Sequence, residues 1–263
     1  MTYFFIHTPK TSGTTFVDVL SRDPRNTIGY FYPPRREMIK FEERILATPA
    51  YHLTNNPDWK KFNFIVGHFA FGIHETLGAE HFKYLGVIRE PVSHYLSLYK
   101  AFLRMPQDYQ QSILPQGISL QNLLAVSFTH NIQTFFLTGM TFSEIQADKD
   151  YAFEKAKENY QKYFCGVYPT TRFDEGLFYF KKRIGLKPIP YSRKNQAPSH
   201  QHIEIDEELI SAIAKINDVD IKLYEYFSAL FEQELQKFPL IRLQAKAFQI
   251  NTWIQTVAKF QPQ

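Results

Sequence analysis

The chain holds one cysteine, two tryptophans and no glycine before position 13. Cys165 has no second cysteine to pair with, so an internal disulfide is excluded and a reducing compartment is favoured. It sits in the apolar run Phe164-Cys165-Gly166-Val167 and reads as a small buried hydrophobe rather than a nucleophile. No apolar run approaches the length needed to cross a bilayer, and no secretory leader pattern precedes the first strand-like segment. The expectation is a soluble, cytoplasmic protein. Blocks of like charge are missing too. Lys plus Arg number 30 against 26 Asp plus Glu, a net charge of +4. So mild an excess suits a small anionic ligand and does not describe a nucleic-acid surface. No Gly/Ser linker or repeat divides the chain, so residues 1–263 are expected to form one domain, with 206–263 as its helical C-terminal extension. Aromatics, in contrast, are plentiful. With 25 Phe, 16 Tyr and a hydrophobic fraction of 44%, a large core is within reach.

The richest stretch comes first: Tyr3-Phe4-Phe5-Ile6-His7-Thr8-Pro9-Lys10-Thr11-Ser12-Gly13-Thr14-Thr15. An apolar, β-prone run breaks at Pro9 and resumes with helical spacing at Phe16-Val17-Asp18-Val19-Leu20. A strand, a tight loop and a helix start thus fit in one short span. The N–H groups at a helix start lack partners and carry partial positive charge, which makes the place suited to phosphate. Lys10 adds a full charge, and the hydroxyls of Thr11, Ser12, Thr14 and Thr15 add donors. The common nucleotide loop G-x-x-x-x-G-K-[ST] is not this one, because Lys10 precedes Gly13.

The order Phe5-Ile6-His7-Thr8-Pro9-Lys10-Thr11-Ser12-Gly13-Thr14-Thr15 resembles the 5′-phosphosulfate loop of sulfotransferases that use 3′-phosphoadenosine 5′-phosphosulfate (PAPS). It is most similar to the group written F-I-H-I-P-K-T-G-G-T-S, which includes carbohydrate and heparan-sulfate-type enzymes. Thr8 and Ser12 depart from that pattern. The resemblance extends to about Tyr224 and implies an α/β fold: a central, mostly parallel sheet flanked by helices, of the P-loop-kinase-like sulfotransferase type, with a helical C-terminal part.

Further along, Thr27 to Tyr32 reads as a short strand, Pro33-Pro34 ends it, and residues 37–47 have helical spacing after Arg35 and Arg36. Phe62-Asn63-Phe64-Ile65-Val66 and Tyr84-Leu85-Gly86-Val87-Ile88 read as buried strands. His68 and Arg89 follow them directly, where ligand groups of open α/β sheets sit. A structural histidine is the plain alternative for His68, and a surface pair with Glu90 is the plain alternative for Arg89. In the resemblance, the Gly67-His68 pair supplies the base. Arg89-Glu90-Pro91-Val92-Ser93-His94-Tyr95-Leu96-Ser97 corresponds to the 3′-phosphate motif, with Arg89 and Ser97 as its ligands and His94 in place of a second arginine.

Asn131 to Gly139 resembles the family's N-x-Q-T-x-x-L segment. Its polar face either lines the acceptor cleft or simply packs. Ser143 to Tyr163 reads as one long solvated helix, Phe164 to Tyr168 as the last strand, and Thr170 to Ile184 as a helix, with Thr171 departing from the family's E-R-F-D-E. The loop from Lys187 to Gln201 is polar and contains Arg193 and Lys194, which in the resemblance close over the nucleotide; a plain exposed loop explains the charges equally well. Asn217 to Tyr224 resembles the family's N-x-x-D-x-x-L-Y. Leu243, Ala247, Ile250, Ile254 and Val257 step by four and three, a helical stripe expected to pack on its own domain, which leaves a homodimer open. His200 and His202 lack a carboxylate partner, so no metal site is expected.

Taken together, the resemblance implies transfer of a sulfuryl group from PAPS to an acceptor hydroxyl on a glycan or small molecule. The product is 3′,5′-diphosphoadenosine (PAP); no metal, nucleic acid or membrane takes part. Lys10 and His68 carry the chemistry, and Lys10 to Thr15, Arg89, Ser97, Arg193 and Lys194 hold the donor. Two other classes remain in view. An ATP-dependent phosphotransferase calls for a conventional glycine-rich loop and a Mg²⁺-binding carboxylate after a strand, and neither is found. A silent nucleotide- or glycan-binding module has no need of Lys10 and His68 together.

Overall fold

The computed structural model describes residues 1–32, 57–192 and 205–258. The expected helix at 37–47, the Arg35-Arg36 pair, Arg193, Lys194, His200 and His202 all lie outside the described residues.

Among the described residues five strands form one sheet: β1 (Thr2–Ile6), β2 (Ile28–Phe31), β3 (Phe64–Gly67), β4 (Phe82–Ile88) and β5 (Phe164–Pro169). Their spatial order is β2-β3-β1-β4-β5, and every neighbouring pair is parallel. The sheet is therefore wholly parallel, as befits strands that are apolar on both faces. β1 is the central strand, and its residues alternate between the two sides. Phe4 and Ile6 join the core with Trp59, Ile65, Phe69 and Tyr84. Phe5 joins the opposite core with Phe16, Val66, Leu85 and Val87.

Helices cover both faces. The chain leaves β1, adds β2 and β3 on one side, then crosses to β4 and β5 on the other. The carboxyl ends of β3, β1 and β4 thus lie side by side where the winding reverses, the crevice in which open α/β sheets bind ligands.

The C-terminal helices share the sheet's cores. Val219, Leu223 and Phe227 belong to one, and Phe231, Leu235, Ile241 and Ala245 to the other. Two sequence expectations are corrected here. The segment from Ser143 to Tyr163 is two helices, Phe142–Ala147 and Lys149–Tyr163. Asp148, extended at φ −144°, ends the first and caps the second by accepting from the Tyr151 N–H. In the helix Leu240–Ala258 the packed face carries Ile241 and Ala245, while Leu243, Ala247 and Ile250 face solvent.

Candidate functional site

The loop after β1 takes an unusual path. Lys10 (φ 67°) and Ser12 (φ 63°) both stand in the left-handed region, which costs a non-glycine residue on the order of 1–3 kcal/mol. Ser12 caps the helix Gly13–Ser21 in that conformation, the place where the family pattern has glycine. Gly13 has no room for a side chain, because a Cβ there would lie 2.0 Å from the His7 ring.

Four side chains hold this path by binding four successive carbonyls. His68 Nδ1–H donates to His7 O at 2.5 Å, and Thr11 Oγ1–H to Thr8 O at 2.7 Å. His94 Nε2–H donates to Pro9 O at 2.8 Å, and Arg89 Nη1–H to Lys10 O at 3.1 Å. These bonds fix the carbonyls of residues 7–10 and set the path by which the chain enters the helix, whose Thr15 and Phe16 N–H groups close back on Ser12 O.

The structure brings Lys10, Ser12, Gly13, Thr14, His68, Arg89 and Ser97 to the wall of one cleft of about 280 Å³. His7 and Pro9 line it as well, and the remainder of its wall is apolar: Leu98, Ala101 and Phe102 of the helix Pro91–Phe102, and Met105 beyond it. Thr11 and Thr15 are not at the wall. Both are buried, and the Thr11 hydroxyl is occupied within the loop. Among the described residues neither Lys10 nor Arg89 forms a salt bridge. Glu90, the partner a surface pair would require, instead caps its own helix by accepting from the Val92 and Ser93 N–H groups.

Burial, reinforced by the charges of Arg104 and Arg89, pushes the Lys10 ammonium below its usual range. Burial also lowers Arg89, with Glu90 opposing. Two half-buried cations that form no salt bridge among the described residues raise their own electrostatic energy, and an anion in the cleft relieves it.

His68 is held in one tautomer. Its Nδ1 carries the proton given to His7 O, so Nε2 keeps the lone pair. Burial lowers its pKa to about 4, so the ring is neutral at pH 7. His7 lies beside it, ring centroids 4.6 Å apart, and hydrogen-bonds Tyr32 Oη through Nδ1 at 2.7 Å. Tyr32 stands edge-on to the His68 ring at 4.8 Å, whereas Tyr95 is buried in the core.

Two segments that the sequence presented separately prove to clasp one another. Asn131 Oδ1 accepts from the Val219 and Asp220 N–H groups, and Asn217 Oδ1 accepts from the Asn131 N–H. Asp220 accepts from the Gln133 N–H, the Thr134 N–H and the Thr134 hydroxyl. Gln133 in turn grips the Arg89 peptide at both ends, accepting from its N–H at 2.7 Å and donating to its carbonyl at 2.9 Å. The polar face of Asn131 to Gly139 therefore anchors the end of β4 rather than lining the cleft. Arg172, in the turn before the helix Phe173–Ile184, pairs with Glu175 and Glu232 away from the cleft.

His94 helps to build the cleft although its only mark in the sequence is that it stands where the resemblance has an arginine. Its imidazole is buried, and burial lowers its pKa to about 4, so it acts as a neutral N–H donor. Among the described residues no three His, Cys, Asp or Glu side chains gather as metal ligands, and no helix is long and apolar enough to cross a membrane.

With this geometry in view, comparison with known proteins is informative. The chain is distantly similar to sulfotransferases. It is 24% identical over 276 residues to heparan-sulfate 6-O-sulfotransferase 1 of Homo sapiens, covering 88% of this chain and 66% of that protein. For the enzyme of the same name from Mus musculus the figures are 23% over 278 residues, 88% and 66%. Heparan-sulfate 6-O-sulfotransferase 1-B of Danio rerio gives 24% over 276 residues, with the same coverage. The chain thus spans about two thirds of the length of these curated relatives. No protein-family profile matches it. The similarity supports sulfotransferase activity in general, on a fold of the expected α/β type.

Proposed function

We propose that this chain transfers a sulfuryl group from PAPS to a hydroxyl of a carbohydrate acceptor. The observation that carries the reading is the pair of cations, Lys10 and Arg89, unbridged among the described residues, at the wall of one cleft beside a helix N-terminus and a neutral imidazole. The distant relatives named for heparan sulfate support both the reaction and the acceptor class.

Each residue has a task in that reaction. Lys10 and the N–H groups at the start of Gly13–Ser21 meet the negative charge that grows on the 5′-phosphate oxygen as its bond to sulfur breaks. Arg89 and Ser97 hold the 3′-phosphate, a planar fork and a hydroxyl on one anion, and so select this donor over ATP. His68 Nε2 takes the proton of the acceptor hydroxyl as the new oxygen–sulfur bond forms, and PAP departs. A pKa of about 4 makes His68 a weak base in the empty cleft. An anionic donor nearby raises it by roughly 1–3 units, towards the range in which general-base catalysis is effective.

The test has two arms. Thermal melting with PAP is compared with melting in Mg-ATP, and radiolabelled sulfate transfer from PAPS is screened on glycans, phenols and small alcohols. Stabilisation by PAP alone together with label on a glycan is expected. An equal or larger shift with Mg-ATP, or no transfer to any hydroxyl, overturns the reading.

A further inference from the structure

Three neighbouring strands end on rings: Tyr32 follows β2, His68 follows β3 and His7 follows β1. The proposed chemistry uses only His68. His7 is 7% exposed and continues the ladder beyond β1, its N–H donating to Gly67 O at 2.9 Å. Its ring is fixed from three sides, stacked on Phe5 at 5.9 Å, edge-on to Tyr32 at 5.6 Å and 4.6 Å from His68. The Cδ2–Nε2 edge is turned to Gly13, where a Cβ would lie 2.0 Å from Cδ2 and 2.3 Å from Nε2. Gly13 opens the helix after the loop, and it shares the cleft wall with His7. Among the described residues Nδ1 is hydrogen-bonded to Tyr32 Oη at 2.7 Å, and Nε2 has no partner.

Burial, then the neighbouring His68 and Lys10, hold the His7 imidazole well below its usual range, so the ring is neutral and carries one proton. Two arguments put that proton on Nε2. Burial holds the Tyr32 hydroxyl well above its usual range, so it stays protonated, and among the described residues His7 Nδ1 is its one acceptor. A proton on Nδ1 would leave that O–H without one. At the other end of the ring, a lone pair on Nε2 would repel the oxygen of an anion at the helix start, whereas an N–H bonds it. We propose that His7 Nε2–H donates to a 5′-phosphosulfate oxygen, and that Tyr32 is the positioning residue that sets this tautomer by donating into Nδ1. The two adjacent imidazoles then hold opposite tautomers. His68 offers a lone pair at Nε2 to the acceptor's proton, and His7 offers a proton to the donor's oxygen. When His68 takes the acceptor's proton, the new charge beside it keeps His7 neutral. The inference rests on the sulfotransferase reading only in that the ligand is an oxyanion.

Sodium pyrophosphate, two joined tetrahedral anions, probes the site without adenine or a 3′-phosphate, and PAP is titrated beside it. Two-bond proton–nitrogen correlation spectra of the isotope-labelled whole chain read the tautomer of each histidine, and the His7 signals are those that vanish in His7→Gln. In the pyrophosphate complex His7 should show a pyrrole-like Nε2 and a pyridine-like Nδ1. His7→Asn places its amide near the position of Nδ1 and stops short of Gly13, so both anions should bind about 10- to 100-fold more weakly, the worth of a hydrogen bond to a charged group. His7→Gln reaches as far as Nε2 with an amide N–H and should recover most of that loss. Tyr32→Phe keeps the ring against both imidazoles and removes only the hydroxyl. His7 should then show a mixture of tautomers, with binding about three- to tenfold weaker. An Nδ1-protonated His7 in the complex, or His7→Asn and His7→Gln binding pyrophosphate alike, overturns the role of His7. A Tyr32→Phe chain whose His7 keeps the parent's tautomer overturns that of Tyr32. A chain that binds pyrophosphate in the expected way but not PAP keeps His7 as an anion donor and removes the PAPS reading instead, and one that binds neither overturns both.

Discussion

Replacing His94 by phenylalanine keeps a planar ring in a buried slot and removes the N–H donor that holds Pro9 O. A buried carbonyl that loses its partner costs about 1–3 kcal/mol. Two residues flanking that part of the loop, Lys10 and Ser12, already stand in a conformation they disfavour, so the lost bond falls where the backbone is most ready to relax. If the free loop leaves its anion-binding shape by that amount, donor binding weakens about 5- to 150-fold, since each 1.4 kcal/mol is tenfold. The lower part of that span applies if water reaches Pro9 O. His94→Gln supplies an N–H at similar reach and should recover most of the loss. Isothermal titration of PAP into the parent and both variants, with melting temperatures measured alongside, gives the answer. The neutral donor is present at any pH well above about 4, so the three affinities should keep their ratios between pH 6 and 8. PAP affinity of His94→Phe within twofold of the parent, whatever its melting temperature, would refute the argument that this bond shapes the loop.

Lys10→Ala should lower kcat by about a thousandfold, since a unit charge about 4 Å away at an effective dielectric near 20 contributes roughly 4 kcal/mol to the departing phosphate. PAP binding should fall much less, and unchanged turnover in a PAPS assay would remove Lys10 from the chemistry. His68→Ala removes both the Nε2 base and the bond to His7 O, so it should lower kcat by roughly 10² to 10⁴ on top of a PAP affinity loss like that of His94→Phe; a loss confined to affinity would mark the imidazole as a loop support alone. Asp220 has a separate signature. Burial outweighs its hydrogen bonds and raises its carboxyl to about 6, above the usual 3.8. The folded state therefore binds the extra proton between pH 4 and 6, and stability from this group is greatest at the acid end of that window and declines as pH rises through 6. The decline amounts to about 3 kcal/mol at most, from roughly two units at 1.36 kcal/mol each. Urea unfolding of the parent and Asp220→Asn between pH 4.5 and 7.5 should show a flatter profile for the variant, and identical slopes would refute the assignment.

Much of this architecture was readable in the chain because the signals are local. The aromatic run at Tyr3 to Ile6 and the apolar runs ending at Gly67 and Ile88 had to be buried strands, and the polar residues that follow them had to emerge at strand ends. What was not readable depends on partners distant in sequence. Nothing in His94 itself announces a bond to Pro9, 85 residues earlier. Asn131 and Asn217 each looked like a separate family-like segment, yet each satisfies the other's helix start. The stripe through Leu243 and Ile250 was expected to pack inward. Periodicity establishes that a helix has an apolar face but not which of two such faces its own fold covers, and here Ile241 and Ala245 took that place. Asp148 was similarly hidden, a single polar residue in a charged stretch whose side chain fits a cap as well as a helix interior.

The cradle after β1 is built by other parts of the chain. Three of its four carbonyl anchors come from beyond β3 and β4, and Gln133 steadies one of them from a further helix. A peptide of the first 20 residues, or this loop grafted onto a foreign strand and helix, would bring the lysine and the hydroxyls without the contour that aims them. Anion capture should therefore emerge late in folding, once β3 and β4 have docked on either side of β1.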